Sequence, residues 1–120
     1  MKVDLTGKIT KLDGDTDKLE LSRTQTKEGR IVSQQRDMKL QDVYFTATGD
    51  SCLTDMSMVA LYRALTAKVK TEKAFEASDE EFEHLFRLFK LQRFYIFTSF
   101  LDMVEELNEG FNIASYGAIE

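Results

Sequence analysis

The sequence predicts an α+β fold in which an antiparallel β-meander of about four strands precedes two α-helices, the second of them long. Apolar and polar residues alternate in the first part of the chain, as in half-buried strands. Residues 53–75 carry apolar side chains at helical spacing. Residues 78–109 contain neither proline nor glycine. We therefore expect a single domain with a β-rich part (1–50), a helical part (51–110) and a tail (111–120).

The predicted meander consists of short alternating segments separated by turn residues. Val3, Leu5 and Ile9 share one parity, so they would face the same side of a first strand. Turn-forming clusters at 13–17 and 26–29 would separate this strand from a second and a third. Each gap is too short for a crossover helix, which favours antiparallel pairing. The third and fourth strands would span residues 30–36 and 38–48.

The central hairpin is polar and basic. Its only large apolar residues are Ile31, Val32 and Met38, so we expect it to project from the body or to lie at the sheet edge. A protruding basic ribbon could follow a nucleic-acid groove, and such binding would depend strongly on salt. The net charge of −5 opposes this alternative. The basic residues are Arg23, Lys27, Arg30, Arg36 and Lys39.

Two helices are expected in the second half of the chain. The apolar residues of the first one recur every three or four positions, and Asp50, Ser51 and Thr54 are its candidate N-caps. The second begins at Ser78, which forms a capping-box pattern with Glu81. The apolar residues of the first helix are Met58, Leu61, Tyr62, Leu65 and Val69.

The second helix is too long for a compact domain of this size. As one straight helix, residues 78–109 would span about 48 Å. A folded chain of 120 residues is roughly 35 Å across. We therefore expect the helix either to overhang the domain or to break, near Gln92–Arg93 or near Thr98–Ser99.

The middle of this helix carries a second apolar patch on its otherwise polar side. Either another chain covers the patch, which would make it a self-association or partner site, or strands and helix 53–75 enclose the long helix from both sides. Arg93 lies on the main apolar face, where it needs a buried partner at an interface or a route to water. The candidate interface residues are Leu88, Leu91, Arg93, Phe94, Tyr95 and Leu101.

The sequence contains no strong motif for catalysis or metal binding. The alternating aspartates 13, 15 and 17 resemble the start of a calcium loop, but the glycine and the glutamate that such a loop needs are missing. His84 is the only histidine and Cys52 the only cysteine, so we expect no metal site and no catalytic pair. We expect no cofactor, and a single cysteine suits a reducing compartment.

The acidic and basic residues are distributed unequally along the chain. Residues 1–50 hold nine basic and nine acidic residues, whereas residues 51–120 hold seven basic and twelve acidic ones, which accounts for the whole −5. No apolar run is long enough to cross a membrane. We expect a small acidic, cytoplasmic, non-catalytic module of the adaptor or inhibitor type, which binds a protein partner or forms a homo-oligomer through the long helix.

Overall fold

A computed structural model describes residues 1–49, 55–71 and 73–113, without the side chains of residues 21 and 22. This part of the chain is α+β and measures 55 × 36 × 26 Å. It contains four helices and two small antiparallel sheets. In chain order the elements are β1 (Lys2–Val3), β2 (Lys18–Gln25), β3 (Ile31–Asp37), α1 (Leu40–Gly49), α2 (Met56–Val69), β4 (Phe75–Glu76), α3 (Asp79–Lys90) and α4 (Phe94–Leu107).

The predicted four-stranded meander followed by two helices is wrong. Within the described residues, β1 pairs with β4, which lies more than 70 residues later, and β2 pairs only with β3. The segment predicted as a fourth strand is helix α1. Its buried residues Leu40, Val43 and Tyr44 have the i, i+3, i+4 spacing of one helix face. Burial of this face in the core outweighs the strand preference of the Val-Tyr-Phe run.

The first segment is buried as its alternation predicts, although little of it is strand. Val3, Leu5 and Ile9 are almost completely buried. Instead of continuing along a sheet, the backbone bonds to the start of α1. The carbonyl of Leu5 accepts from the amide of Gln41 at 2.9 Å, and the amide of Ile9 donates to the carbonyl of Met38 at 2.9 Å.

The β2–β3 hairpin forms close to the predicted second and third strands, but as a separate two-stranded ribbon and not as the centre of a four-stranded meander. Its turn contains Gly29, whose φ of +80° is a conformation that glycine adopts without strain. Ile31 and Val32 are 62% and 44% exposed, so the ribbon contributes little to the core. At its base, Lys18 and Lys8 hydrogen-bond Asp37 and lower the pKa of its carboxyl to about 2.

The helix predicted at 53–75 is shorter than expected. α2 begins after Asp55, whose carboxylate accepts from the amide of Ser57 at 2.9 Å, and the helix ends at Val69. Phe75 belongs to strand β4 instead. The three candidate N-caps, Asp50, Ser51 and Thr54, lie outside the described residues.

The capping box predicted at the start of the long helix is present. The hydroxyl of Ser78 accepts from the amide of Glu81 at 3.2 Å, and the Glu81 carboxylate accepts from the amide of Ser78 at 2.9 Å. The same carboxylate forms an ion pair with Lys68 of α2 at 2.6 Å. The pKa of Glu81 is lowered: burial alone would raise it, but the bonds from Lys68 and Ser78 outweigh that effect.

Candidate interaction surface

The predicted long helix breaks at residues 91–93, close to the first of the two expected positions, because both halves pack into the same aromatic core. The rings of Phe89 and Phe100 stack with centroids 4.5 Å apart, and those of Phe86 and Phe97 lie 5.5 Å apart. In each pair the residues are 11 positions apart, which in a straight helix would separate them by about 16 Å. Only a chain that folds back can form these contacts.

The turn is built from a few backbone bonds. The amide of Leu91 donates to the carbonyl of Phe89 as α3 ends. Arg93 then adopts an extended conformation, with φ −59° and ψ 150°. Its carbonyl accepts from the amides of Ile96 and Phe97 at 3.0 and 3.1 Å, which starts α4. The stacked aromatic rings behind the turn hold both helix ends in place.

Three of the six predicted interface residues meet at this turn and are exposed. Leu91 is 85% exposed and Phe94 is 67% exposed, which is unusual for two large apolar side chains so close together. Arg93 lies between them and is also exposed, because the break turns it away from the apolar face. We call Leu91, Arg93 and Phe94 the turn surface.

The other three predicted residues, Leu88, Tyr95 and Leu101, are half-buried and pack against the core. The hydroxyl of Tyr95 donates to the carboxylate of Asp17 at 2.7 Å. This hydrogen bond, with a smaller contribution from burial, raises the pKa of Tyr95. The proposed patch is therefore divided into an exposed turn and a set of half-buried supports.

A groove of about 560 Å³ lies between the N-terminal segment and α4, and none of the turn-surface residues lines it. Leu12, which is 75% exposed, lines it together with Thr98 and Asp102. The amide of Thr10 donates to the hydroxyl of Ser99 at 3.3 Å and so joins the loop to α4. The sequence reasoning missed Leu12, since nothing in its local pattern separates it from the buried leucines. The charged lining residues are Asp4, Lys8, Lys11, Asp102 and Glu106.

The five basic hairpin residues are placed differently along the ribbon. Lys27 and Arg30 lie exposed at its tip, and Arg23 pairs with Glu20 on the same strand. Arg36 and Lys39 lie at the base of the ribbon and both donate to the carboxylate of Asp42 in α1. Arg36 donates through its guanidinium, with two bonds of 2.8 and 2.6 Å, and Lys39 through its backbone amide. The pKa of Asp42 is lowered: burial would raise it, but these bonds outweigh that effect. Nucleic-acid binding by the ribbon stays a prediction.

The other residues considered for chemistry are spread over the fold. His84 is half-buried, with its ring 5.6 Å from that of Tyr62. Asp13 and Asp15 lie exposed in a turn, and Cys52 lies outside the described residues. Within ranges 1–49, 55–71 and 73–113, no three His, Cys, Asp or Glu side chains form a group that could hold a metal ion. Over these same ranges, none of the helices could cross a membrane.

Comparison with known proteins does not assign this chain to a family. No protein-family model, no curated protein and no solved structure matches this chain.

Proposed function

We propose that this protein is a small non-catalytic interaction module that binds a protein partner through the turn surface. The observation that carries the proposal is the exposure of Leu91 and Phe94 on a turn held by stacked aromatic rings. Large apolar side chains presented together on a soluble surface are typical of docking sites. Arginine and aromatic side chains such as Arg93 and Phe94 are enriched at such sites.

Burial of the turn surface would supply part of the free energy that a complex needs, and further contacts around it would supply the rest. Complete burial of a leucine or phenylalanine side chain contributes about 1.5–3 kcal/mol. Leu91 and Phe94 are already partly covered, so the two together would contribute about 2–4.5 kcal/mol on binding. Since the turn is held by the core, little conformational entropy would be lost. Such a surface suits a regulatory or adaptor contact, in the reducing, cytoplasmic setting expected for the chain.

The test compares the wild type with the Leu91→Ser/Phe94→Ser double variant as immobilised baits. The baits are exposed to an extract of the cells that produce the protein, and bound proteins are quantified by mass spectrometry. We expect at least one protein, or an untagged copy of this chain, to bind the wild type and to lose at least 90% of its binding to the variant.

Met56→Ser is the matched control, because Met56 is 75% exposed but lies at the start of α2. Its set of bound proteins should equal that of the wild type. Circular dichroism spectra should show that all three proteins are folded. If the double variant retains every protein that the wild type binds, the turn surface is not a docking site.

A further inference from the structure

The charges of α4 are arranged against its own dipole. α3 follows the usual preference, with acidic residues in its first turn and basic residues in its last. α4 has the basic Arg93 at its N-cap, with no side-chain capping bond, and no basic residue in its last turn. Glu105 and Glu106 lie near its C-terminus, where the dipole disfavours negative charge. The arrangement is unfavourable for a helix that stays alone.

The same helix has a face that is exposed at Phe94, Asp102 and Glu105 and half-buried at Thr98 and Leu101, and its polarity changes along its length. We define the α4 stripe as Phe94, Thr98, Leu101, Asp102 and Glu105, which lie at i, i+4, i+7, i+8 and i+11 and therefore share one side of the helix. The opposite side carries the buried residues Ile96, Phe100 and Val104. Towards the N-terminus the stripe is apolar, and towards the C-terminus it is acidic.

Arg93 and the carboxylates of the stripe form no salt bridge within the described part of the chain, although the Arg93 guanidinium acts on the Tyr95 hydroxyl and opposes the rise of its pKa. Arg93, Asp102 and Glu105 are absent from every salt bridge formed there. The N-terminal end of α4 therefore carries Arg93 and the apolar side chain of Phe94, and its C-terminal end carries carboxylates.

We propose that a second copy of this chain covers the α4 stripe, with the two α4 helices antiparallel about a two-fold axis near Thr98 and Leu101. The proposal rests on the proposed function, because Phe94 belongs to both surfaces and Arg93 of the turn surface is the N-cap of α4. In this arrangement Arg93 of each copy faces Glu105 of the other, and Phe94 of each copy packs against Leu101 of the other. A single two-fold contact of this kind closes on itself and gives a dimer.

Charge complementarity is the reason for choosing a second copy as the partner. Antiparallel pairing brings the basic end of each helix to the acidic end of the other, and it also pairs the two helix dipoles favourably. Parallel pairing would bring like charges together. The helix is about 21 Å long, and Leu12 and Leu91 widen the contact at its margins. An interface of this size is small, so we expect a dissociation constant in the micromolar range.

The test is a charge-reversal cycle measured by sedimentation equilibrium at low salt, over protein concentrations from about 1 to 500 µM, a range chosen to bracket that affinity. Arg93→Glu and Glu105→Arg should each weaken the dimer about tenfold or more. The double variant Arg93→Glu/Glu105→Arg should regain most of the affinity, because the two-fold axis restores opposite charges at both ends. Arg63→Glu, an exposed arginine of α2, is the control and should leave the dimer unchanged.

The outcomes separate this inference from the proposed function. A wild type that stays monomeric over the whole range overturns the dimer, while the bait experiment still decides the proposed function. A dimer that the charge reversals do not weaken, but that Leu91→Ser/Phe94→Ser dissolves, overturns the antiparallel arrangement and leaves the docking role intact. A dimer that is insensitive to both sets of changes overturns the use of this surface for self-association. Failure of the double reversal to recover affinity would show that Arg93 and Glu105 do not face each other.

Discussion

Replacing Phe100 with alanine should destabilise the protein far more than the same change at Phe94, although both lie on α4. Phe100 is fully buried and stacks on Phe89 at 4.5 Å and on Phe82 at 6.2 Å. Phe94 is 67% exposed at the turn. A truncation that leaves a cavity between aromatic rings costs far more than one that removes a side chain from water.

The magnitudes follow from burial. Truncation of a buried phenylalanine costs about 3–5 kcal/mol, so we take about 4 kcal/mol for Phe100→Ala. About one third of Phe94 is covered, which gives about 1 kcal/mol for Phe94→Ala. With a urea m-value of about 1.5 kcal/mol/M, the unfolding midpoint should fall by about 2.7 M for Phe100→Ala and by about 0.7 M for Phe94→Ala.

The assay is urea unfolding followed by circular dichroism, at a protein concentration well below the one at which the wild type associates. Phe100→Leu, with an expected loss of about 1–2 kcal/mol, provides a second measurement if Phe100→Ala does not fold. Equal midpoint shifts for the two alanine variants would refute the assignment of Phe94 to the surface. They would also remove the main evidence that the turn surface is a docking site.

Two further predictions concern the contacts that hold the helices together. Glu81→Gln should lower the free energy of unfolding by about 2 kcal/mol at neutral pH, because it breaks the charged bond to Lys68. The pKa of Glu81 is lowered in the folded state, so the extra stability of the wild type is fully present above the ordinary carboxyl pKa. It should disappear as the pH falls through the folded-state pKa. Urea unfolding of both proteins at several pH values measures this difference. Tyr95→Phe should speed hydrogen exchange in the loop that contains Asp17, because its bond to α4 is lost. Unchanged exchange rates there would mean that this bond does not hold the loop.

The capping box and the hairpin turn were accessible from local patterns. Ser78 and Glu81 are three positions apart, and the bonds between them need no distant partner. The length of residues 78–109 predicted either a break or an overhang, and only the tertiary structure shows that the helix breaks. The six candidate interface residues were found from helical periodicity, but periodicity alone could not separate exposed Leu91 from half-buried Leu88.

The sequence by itself determined the presence of both helices and strands, the polar ribbon, and the start of α3, because each depends on residues close together in the chain. Only the tertiary structure decided that residues 40–49 form a helix and that β1 pairs with β4. Val43 and Tyr44 favour a strand locally, but burial of their helix against α3 and α4 requires the helical spacing. The exposure of Phe94 was decided in the same way, since burial depends on which distant segments cover a residue, and that information is absent from its neighbours in the chain.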